Sequence, residues 1–389
     1  MSKKALMLAH AASMICHFNM NNIAILRSLG YEVTVACNFI KGSSCDSARI
    51  EKFKAELTEK GVEYIQLDFV RSPFDIPGNI KAYRQLKRLL KNERFDLIHC
   101  HTPMGGILCR LAAKKYRKTG TKVIYTAHGF HFFKDAPLIN WLLYYPAEKY
   151  CSRFTDVLVT INHEDFDLAK RKMHARRVEY IPGVGIDVEK FAAVKVDRAA
   201  KRREIGVPED AFLLISVGEL NKNKNHQAVI KAVARVKEQN LHYVIVGQGK
   251  LKDHLIKLSE RLGVSDRVHL LGYRRDIAEL NKCADVFCFP SKREGLPVAL
   301  MEAMACGLPV VCSKIRGNTD LATDGESGWL IPHDDVSGLI SAVNRIIADR
   351  HAAVEMGKKN YNIINRYDIE SVNLKMKEIY NENNTYTQL

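Results

Sequence analysis

The chain has 389 residues, 47% of them hydrophobic, with ten cysteines and a formal net charge of +15. That length is more than one hydrophobic core usually organises, so two domains are expected. No apolar run reaches the roughly 18 residues that span a bilayer, and no C-x-x-C pair marks a zinc or dithiol centre; an integral membrane protein and a zinc-ribbon protein are therefore not expected.

The first predicted element is the apolar run Ala5–His10. It is broken by His10 and soon by His17 and Asn19, which suits a β-strand better than a signal peptide and implies a cytoplasmic protein. Further strand-like runs follow at Glu32–Cys37, Tyr64–Phe69, Leu97–His101, Val123–Ala127 and Val157–Ile161. Helix-like segments separate them. Pro182, Gly183 and Gly185 then interrupt the pattern. A second series runs through Ala211–Gly218, His242–Gly247, Val268–Leu271, Val286–Pro290 and Val310–Ser313. Many of these runs are continuously apolar, as parallel strands covered on both faces read. The alternation predicts an α/β protein with two doubly wound parallel sheets, one per domain. The expected domains are 1–182 and 183–365, followed by a terminal segment 366–389 whose polar end, from Asn381, frays.

Charge is uneven, with +12 in residues 1–182 and +3 in the remainder. Lys81, Arg84, Lys87, Arg88 and Lys91 recur at helical spacing, and Arg110, Lys114, Lys115, Arg117 and Lys118 form a second cluster. These are either solvated helix faces or surfaces attracted to anionic lipid headgroups. No nucleic-acid motif accompanies the charge, so nucleic acid is not an expected partner. The scattered cysteines read as buried free thiols.

Candidate functional residues cluster at strand ends. His17 and Asn19 follow the first strand in a segment that is not Gly-rich. His99 and His101 end the fourth strand, and His128 and His131 follow the fifth. These spacings come without acidic ligands, so no metal is expected there. One histidine hydrogen-bonding a substrate is the better functional use, while His99 reads as a satisfied strand-end residue.

In the second series, Lys222 and Lys224 follow the first strand, and Asn225 is placed to cap a helix from His226. The turns Val246-Gly-Gln-Gly249 and Leu271-Gly-Tyr273-Arg274 offer backbone to a flat ligand. Lys252 stands where a dinucleotide fingerprint needs its third glycine, and neither a P-loop nor a G-x-S-x-G elbow occurs. Glu294-Gly-Leu-Pro-Val-Ala-Leu-Met-Glu302 lies at a strand-to-helix junction, where open α/β sheets bind ligands. Free N–H groups and the helix dipole there favour a phosphate, with one carboxylate placed for a sugar and the other for a ribose; the alternative is an exposed Glu294 before the helix and a solvated Glu302 on it.

Taken in order, Ser216-Val-Gly with Lys224, Val246-Gly-Gln-Gly249, Leu271-Gly-Tyr273-Arg274 and Glu294 with Glu302 resemble the retaining family-4 glycosyltransferases of GT-B fold. The similarity covers nearly the whole chain. Thr126-Ala-His-Gly-Phe-His-Phe132 resembles the bacterial enzymes of capsule, exopolysaccharide and lipid-linked glycan assembly. The resemblance implies two Rossmann-like domains, a nucleotide-sugar donor held by the second, and an acceptor held by the first. The cleft between them would house the chemistry. Glu294 would contact the transferred sugar and Glu302 the ribose. Lys224, with Lys222 and the backbone of Gly247, Gly295 and Leu296, would serve the donor, and Tyr273 and Arg274 would flank the base. His128 would sit at the reaction centre, with His17, Asn19, His101 and His131 on the acceptor side. The terminal helix would return to the first domain. The family usually carries Arg after Val-Gly to clamp the diphosphate; here that residue is Glu219, which leaves Lys222, Lys224 or Arg274 to take its place.

The implied activity is transfer of an N-acetylated hexose or deoxyhexose from a UDP-sugar, with retention and without a metal or other cofactor. The acceptor would be a polyprenyl-diphosphate-linked saccharide at the inner membrane face, to which the protein binds peripherally. A nucleotide-sugar 2-epimerase or hydrolase of similar build, and a non-catalytic partner in glycan assembly, are the alternatives.

Overall fold

The computed structural model describes residues 2–43 and 45–381; the expected frayed tail lies outside the described residues, apart from Asn381. The chain divides into two compact units, one running through Val184 and resuming at Ser371, the other Gly185–Glu370. The division falls slightly later than 182, and the return segment begins at Ser371 rather than at 366.

In the first unit the strands are β1 (Lys3–Ala11), β2 (Tyr31–Asn38), β3 (Glu63–Gln66), β4 (Leu97–His101), β5 (Lys122–Ala127), β6 (Val157–Thr160) and β7 (Arg177–Tyr180). They form one sheet in the order β3-β2-β1-β4-β5-β6-β7, parallel throughout. Its helices include α1 (Ala12–Phe18), α2 (Met20–Ser28), α3 (Ser47–Glu59), α4 (Ile76–Asn92), α5 (Pro103–Arg117), α6 (Leu138–Ser152) and α7 (His163–Lys172). The second unit holds β8 (Phe212–Val217), β9 (Leu241–Val246), β10 (Val268–Gly272), β11 (Val286–Phe289), β12 (Val310–Ser313) and β13 (Gly328–Ile331). Their order is β10-β9-β8-β11-β12-β13, again parallel. Both sheets carry an almost wholly buried centre, as strands covered on two faces must.

Two strands, β7 and β13, are absent from the sequence reading. Both are sheet edges. β7 is half-buried along its length and mixes Arg177 and Glu179 with Val178 and Tyr180, so it gives no apolar run. The third strand also ends earlier than expected, at Gln66, so Leu67–Phe69 leaves the ladder.

The terminal helix Ile369–Asn381 belongs from Ser371 onward to the first unit. Lys122 Nζ donates to Ile379 O at 2.6 Å. The Tyr380 hydroxyl is 2.8 Å from His99 Nδ1.

The second basic cluster is only in part a surface. Arg110 is fully buried. Its Nη2 is 2.7 Å from Glu148 Oε2, its Nε donates to Gly106 O at 2.9 Å, and its guanidinium lies 3.9 Å from the Tyr125 ring centroid. The Tyr125 hydroxyl donates to the other Glu148 oxygen at 3.1 Å. Gly106 makes this approach of α5 to the sheet possible, since a Cβ there would lie 2.4 Å from Tyr125. Arg117 is engaged by Asp156 through two contacts, at 2.6 and 3.0 Å. Lys114, Lys115 and Lys118 remain exposed, as do all five basic residues of α4.

Two aromatic and apolar segments follow β5, Phe130–Phe133 and Leu138–Tyr145, and they differ in exposure. Phe130 and Phe132 are buried and stacked on each other, whereas Leu138 and Leu142 on α6 are 80% and 71% exposed. No helix among the described residues is long and apolar enough to cross a membrane.

Removing one member of the Arg110–Glu148 pair leaves a buried charge uncompensated. Arg110→Met should cost about 3–5 kcal/mol in urea unfolding, and adding Glu148→Leu should recover part of the loss.

Candidate active site

The site is built where the loops after β8, β9 and β11 meet. Gly247 sits at φ 150°, and a Cβ there would lie 2.0 Å from Gly218 O. Only glycine permits that approach. Gly218 N donates to Val246 O at 2.9 Å, and Leu220 N to Gln248 O at 2.9 Å, so the two loops run together. The loop after β8 is tied equally to the loop after β11: Asn223 Nδ2 donates to Arg293 O at 2.9 Å, and Lys292 N to Asn223 O at 2.8 Å. Asn225 stands before the helix His226–Val233 with φ 55° and does not cap it. Its amide instead donates to Pro290 O and His333 O, which corrects the capping expectation.

These ties deliver Lys224 to Glu294. Lys224 Nζ is 2.8 Å from Glu294 Oε1 and 4.6 Å from the Phe289 ring centroid. The Glu294 main chain is held from a third side, because Arg316 Nε donates to Glu294 O at 3.2 Å. Gly317, at φ 79°, lets its backbone approach Gly295 O, which a Cβ would meet at 2.3 Å. Leu296 is buried, and Pro297 precedes the helix Val298–Ala305, which carries Glu302. Burial raises the Glu302 carboxyl to about 7, opposed by Lys190. Arg316 and Gly317 had no sequence signal, since their roles come from a third loop folding back on Glu294.

The expected replacements for the missing phosphate-binding arginine need correction. Arg274 follows β10, but its guanidinium is committed to Asp276 and Glu204. Lys222 is exposed and lines a cavity of about 260 Å³ with His226, Leu251, His254 and Lys292, a lining that includes neither Lys224 nor Glu294. Glu219 is exposed too. Tyr273 is 64% exposed beside Gly272, at the end of β10. Lys224 is thus the one expected cation that the fold brings to Glu294.

In the first unit, the ends of β1, β4 and β5 bring histidines together. His101 Nδ1 is 3.0 Å from His128 Nε2, and His101 Nε2 is 3.3 Å from Met7 Sδ. His99 is bracketed by Tyr380 and Thr126, both at 2.8 Å, as a satisfied strand-end residue. Burial lowers His128 to about 4 and His99 to about 3, and takes His101 well below its usual range. All three are neutral near pH 7. A thioether has no proton to give, so the His101 proton belongs on Nε2, and His128 donates from Nε2 to His101 Nδ1.

Asn19, His101, Thr126 and His128 line a cavity of about 20 Å³ together with Met376. That is room for about one water. Asn19 is buried and donates to Met14 O at 3.0 Å. Two expected members lie elsewhere. His17 is exposed and meets Cys45 Sγ at 3.2 Å, while His131 stacks on Tyr144 with centroids 4.6 Å apart.

The geometry can be set beside known proteins. The profile of Glycosyltransferase Family 4 matches residues 23–190, and that of Glycosyl transferases group 1 matches 197–363. EpsD of Bacillus subtilis (strain 168), described as a candidate glycosyltransferase, is 37% identical over 384 residues, covering 98% of this chain and 97% of EpsD. The UDP-Gal:alpha-D-GlcNAc-diphosphoundecaprenol alpha-1,3-galactosyltransferase of Escherichia coli is 32% identical over 78% of this chain and 79% of its own. Among solved structures, Anabaena Alr3699/HepE with UDP and glucose gives a TM-score of 0.78 at 20% identity, over 97% of this chain and 99% of that one. WaaG, a glycosyltransferase of lipopolysaccharide biosynthesis, gives 0.74 at 20% identity over 97% and 99%. With both profiles matched and a relative this similar along nearly its whole length, the chain belongs to glycosyltransferase family 4 and is a nucleotide-sugar-dependent glycosyltransferase of GT-B fold.

Proposed function

We propose that this protein moves a sugar from a UDP-sugar to a polyprenyl-diphosphate-linked saccharide in surface polysaccharide synthesis, with retention and without a metal in the bond-breaking step. The observation that carries the reading is the 2.8 Å pair of Lys224 and Glu294, held by three loops at a sheet edge. The Escherichia coli relative, named for a GlcNAc-diphosphoundecaprenol acceptor, supports the acceptor class. Its UDP-Gal donor puts a plain hexose beside the N-acetylated hexose and deoxyhexose as the transferred group.

In this reading the diphosphate draws Lys224 Nζ, and Glu294 turns to hydroxyls of the transferred sugar. Charge develops on the leaving diphosphate as the glycosidic bond breaks. Lys224, the backbone N–H groups of Gly295 and Leu296, and the helix start after Pro297 stabilise it. Glu302 accepts from the ribose. With Arg274 committed elsewhere, the phosphate charge rests on one lysine and on main-chain dipoles. His128, neutral and oriented by His101, accepts a hydrogen bond at its free Nδ1 without adding charge.

Glu294→Ala should lower transfer to a lipid-linked acceptor about 10²–10³-fold while the protein keeps its melting temperature. Full activity in that variant would sink the assignment. Incubation with donor alone separates the other readings, because sugar isomer or free sugar without acceptor would mean an epimerase or a hydrolase.

Glu302 predicts a pH dependence. A ribose hydroxyl donates to the ionised carboxylate, and the empty-site carboxyl titrates near 7. Affinity for UDP-glucose, whose diphosphate diester does not itself titrate in this range, should therefore rise from pH 6 to pH 8. Calorimetry on Glu302→Gln should show a flat profile; an unchanged slope would refute the role.

Peripheral binding to an anionic leaflet is part of the proposal. It is supported by the exposed basic face of α4 and the exposed Leu138 and Leu142 of α6. Sedimentation with phosphatidylglycerol vesicles should be salt-sensitive and weaker for Lys87→Gln/Arg88→Gln. Equal recovery of both proteins in the supernatant at low salt would count against it.

A further inference from the structure

Away from the Glu294 loops, three soft ligands converge on one point of the first unit. Cys16 and His17 lie on α1, and Cys45 lies between β2 and α3. The two sulfurs and an imidazole nitrogen all fall within 4.8 Å of one another, with Cys45 Sγ 3.2 Å from His17 Nε2. Among the described residues this is the group of three Cys, His, Asp or Glu side chains gathered tightly enough to share an ion.

The spacing suits a small tetrahedral cation. Zinc with Zn–S near 2.3 Å and Zn–N near 2.05 Å separates its ligand atoms by about 3.6–3.8 Å. The Cys45–His17 separation of 3.2 Å is a little shorter than that and the others, within 4.8 Å, exceed it by at most about 1.2 Å, a difference that side-chain rotation at exposed His17 and half-buried Cys45 can absorb. Access is graded: Cys16 is buried, Cys45 half-buried and His17 exposed, so the triad opens to solvent on one side. Water can fill the fourth position from there. Two thiolates neutralise a divalent cation. The neighbouring Arg49 is paired with Glu56 at 3.1 and 3.3 Å and leaves no net charge to oppose it.

We propose that Cys16, His17 and Cys45 form a binding site for one zinc-like soft divalent cation. The ion ties the end of α1 to the segment before α3. Each cysteine gives up its proton on coordination, so binding releases two protons per ion. The site does not depend on the transfer reaction above. Its effect is positional: α1 leads directly into Asn19, which lines the same cavity as His101 and His128. The competing arrangement is a plain S–H···N hydrogen bond between Cys45 and His17.

The test uses the full chain, reduced, stripped by a chelator and titrated with cobalt(II). A single equivalent should produce a thiolate-to-cobalt charge-transfer band with tetrahedral ligand-field bands, bleached by one equivalent of zinc. Cys45→Ser should lose the band, and His17→Gln should keep a charge-transfer band but bind cobalt more weakly. Cys45 lies outside every helix and strand, so its variant should melt with the metal-free parent, and that comparison controls for misfolding. No band in the parent protein would overturn the proposal. So would a band that persists in Cys45→Ser, or a Cys16–Cys45 disulfide found by mass spectrometry in the reduced sample.

Discussion

The second unit is organised around a backbone contact that admits no side chain. Gly247 and Gly218 meet so closely that a methyl group at Gly247 would occupy the Gly218 carbonyl. A Cβ at Gly218 would in turn press on the Lys224 side chain at 3.2 Å. The order of contacts is Gly247, Gly218, Lys224, Glu294, each positioned by the one before. Parallel strands supply the frame, because their C-terminal ends all open at one edge and their loops must share that space. Glycine lets those loops interleave instead of splaying apart.

Much of this architecture is legible in the residues. Most of the strands are apolar runs, and burial on both faces is what makes them so. Arg177–Tyr180 lacks that signature because charged and apolar residues mix along it, and Gly328–Ile331 is a four-residue edge strand that opens on glycine and buries only alternate residues. The Lys224–Glu294 pairing was legible only as a set of ordered motifs. Its distance depends on Asn223, Asn225 and Arg316 bridging segments far apart in sequence. Arg274 shows the opposite failure. Its position in a glycine turn suggested a ligand contact, but Asp276, two residues on, and Glu204 claim the guanidinium. A charged side chain advertises its chemistry in sequence and not whether a neighbour has already used it.

The two units handle polarity differently. At the end of the second sheet, opposite charges face each other half-buried. At the end of the first, desolvation keeps three histidines uncharged, and their order comes from hydrogen bonds to Met7, Thr126, Tyr380 and one another. The same unit hides Arg110 and Glu148 completely, where full burial demands the carboxylate, the carbonyl and the aromatic face that surround the guanidinium.

The Lys224–Glu294 contact also sets an entry condition for any ligand. In the empty site each charge is the other's counter-ion. An anion that attracts Lys224 strands a carboxylate in a half-buried niche, and a neutral polyol that satisfies Glu294 strands the ammonium. Either single exchange forfeits a charge-assisted hydrogen bond. Only a molecule presenting a negative group and hydroxyl donors at the right separation replaces both partners at once. On the proposed reading, inorganic phosphate and free sugars each meet half of that condition and are disfavoured without any steric gate.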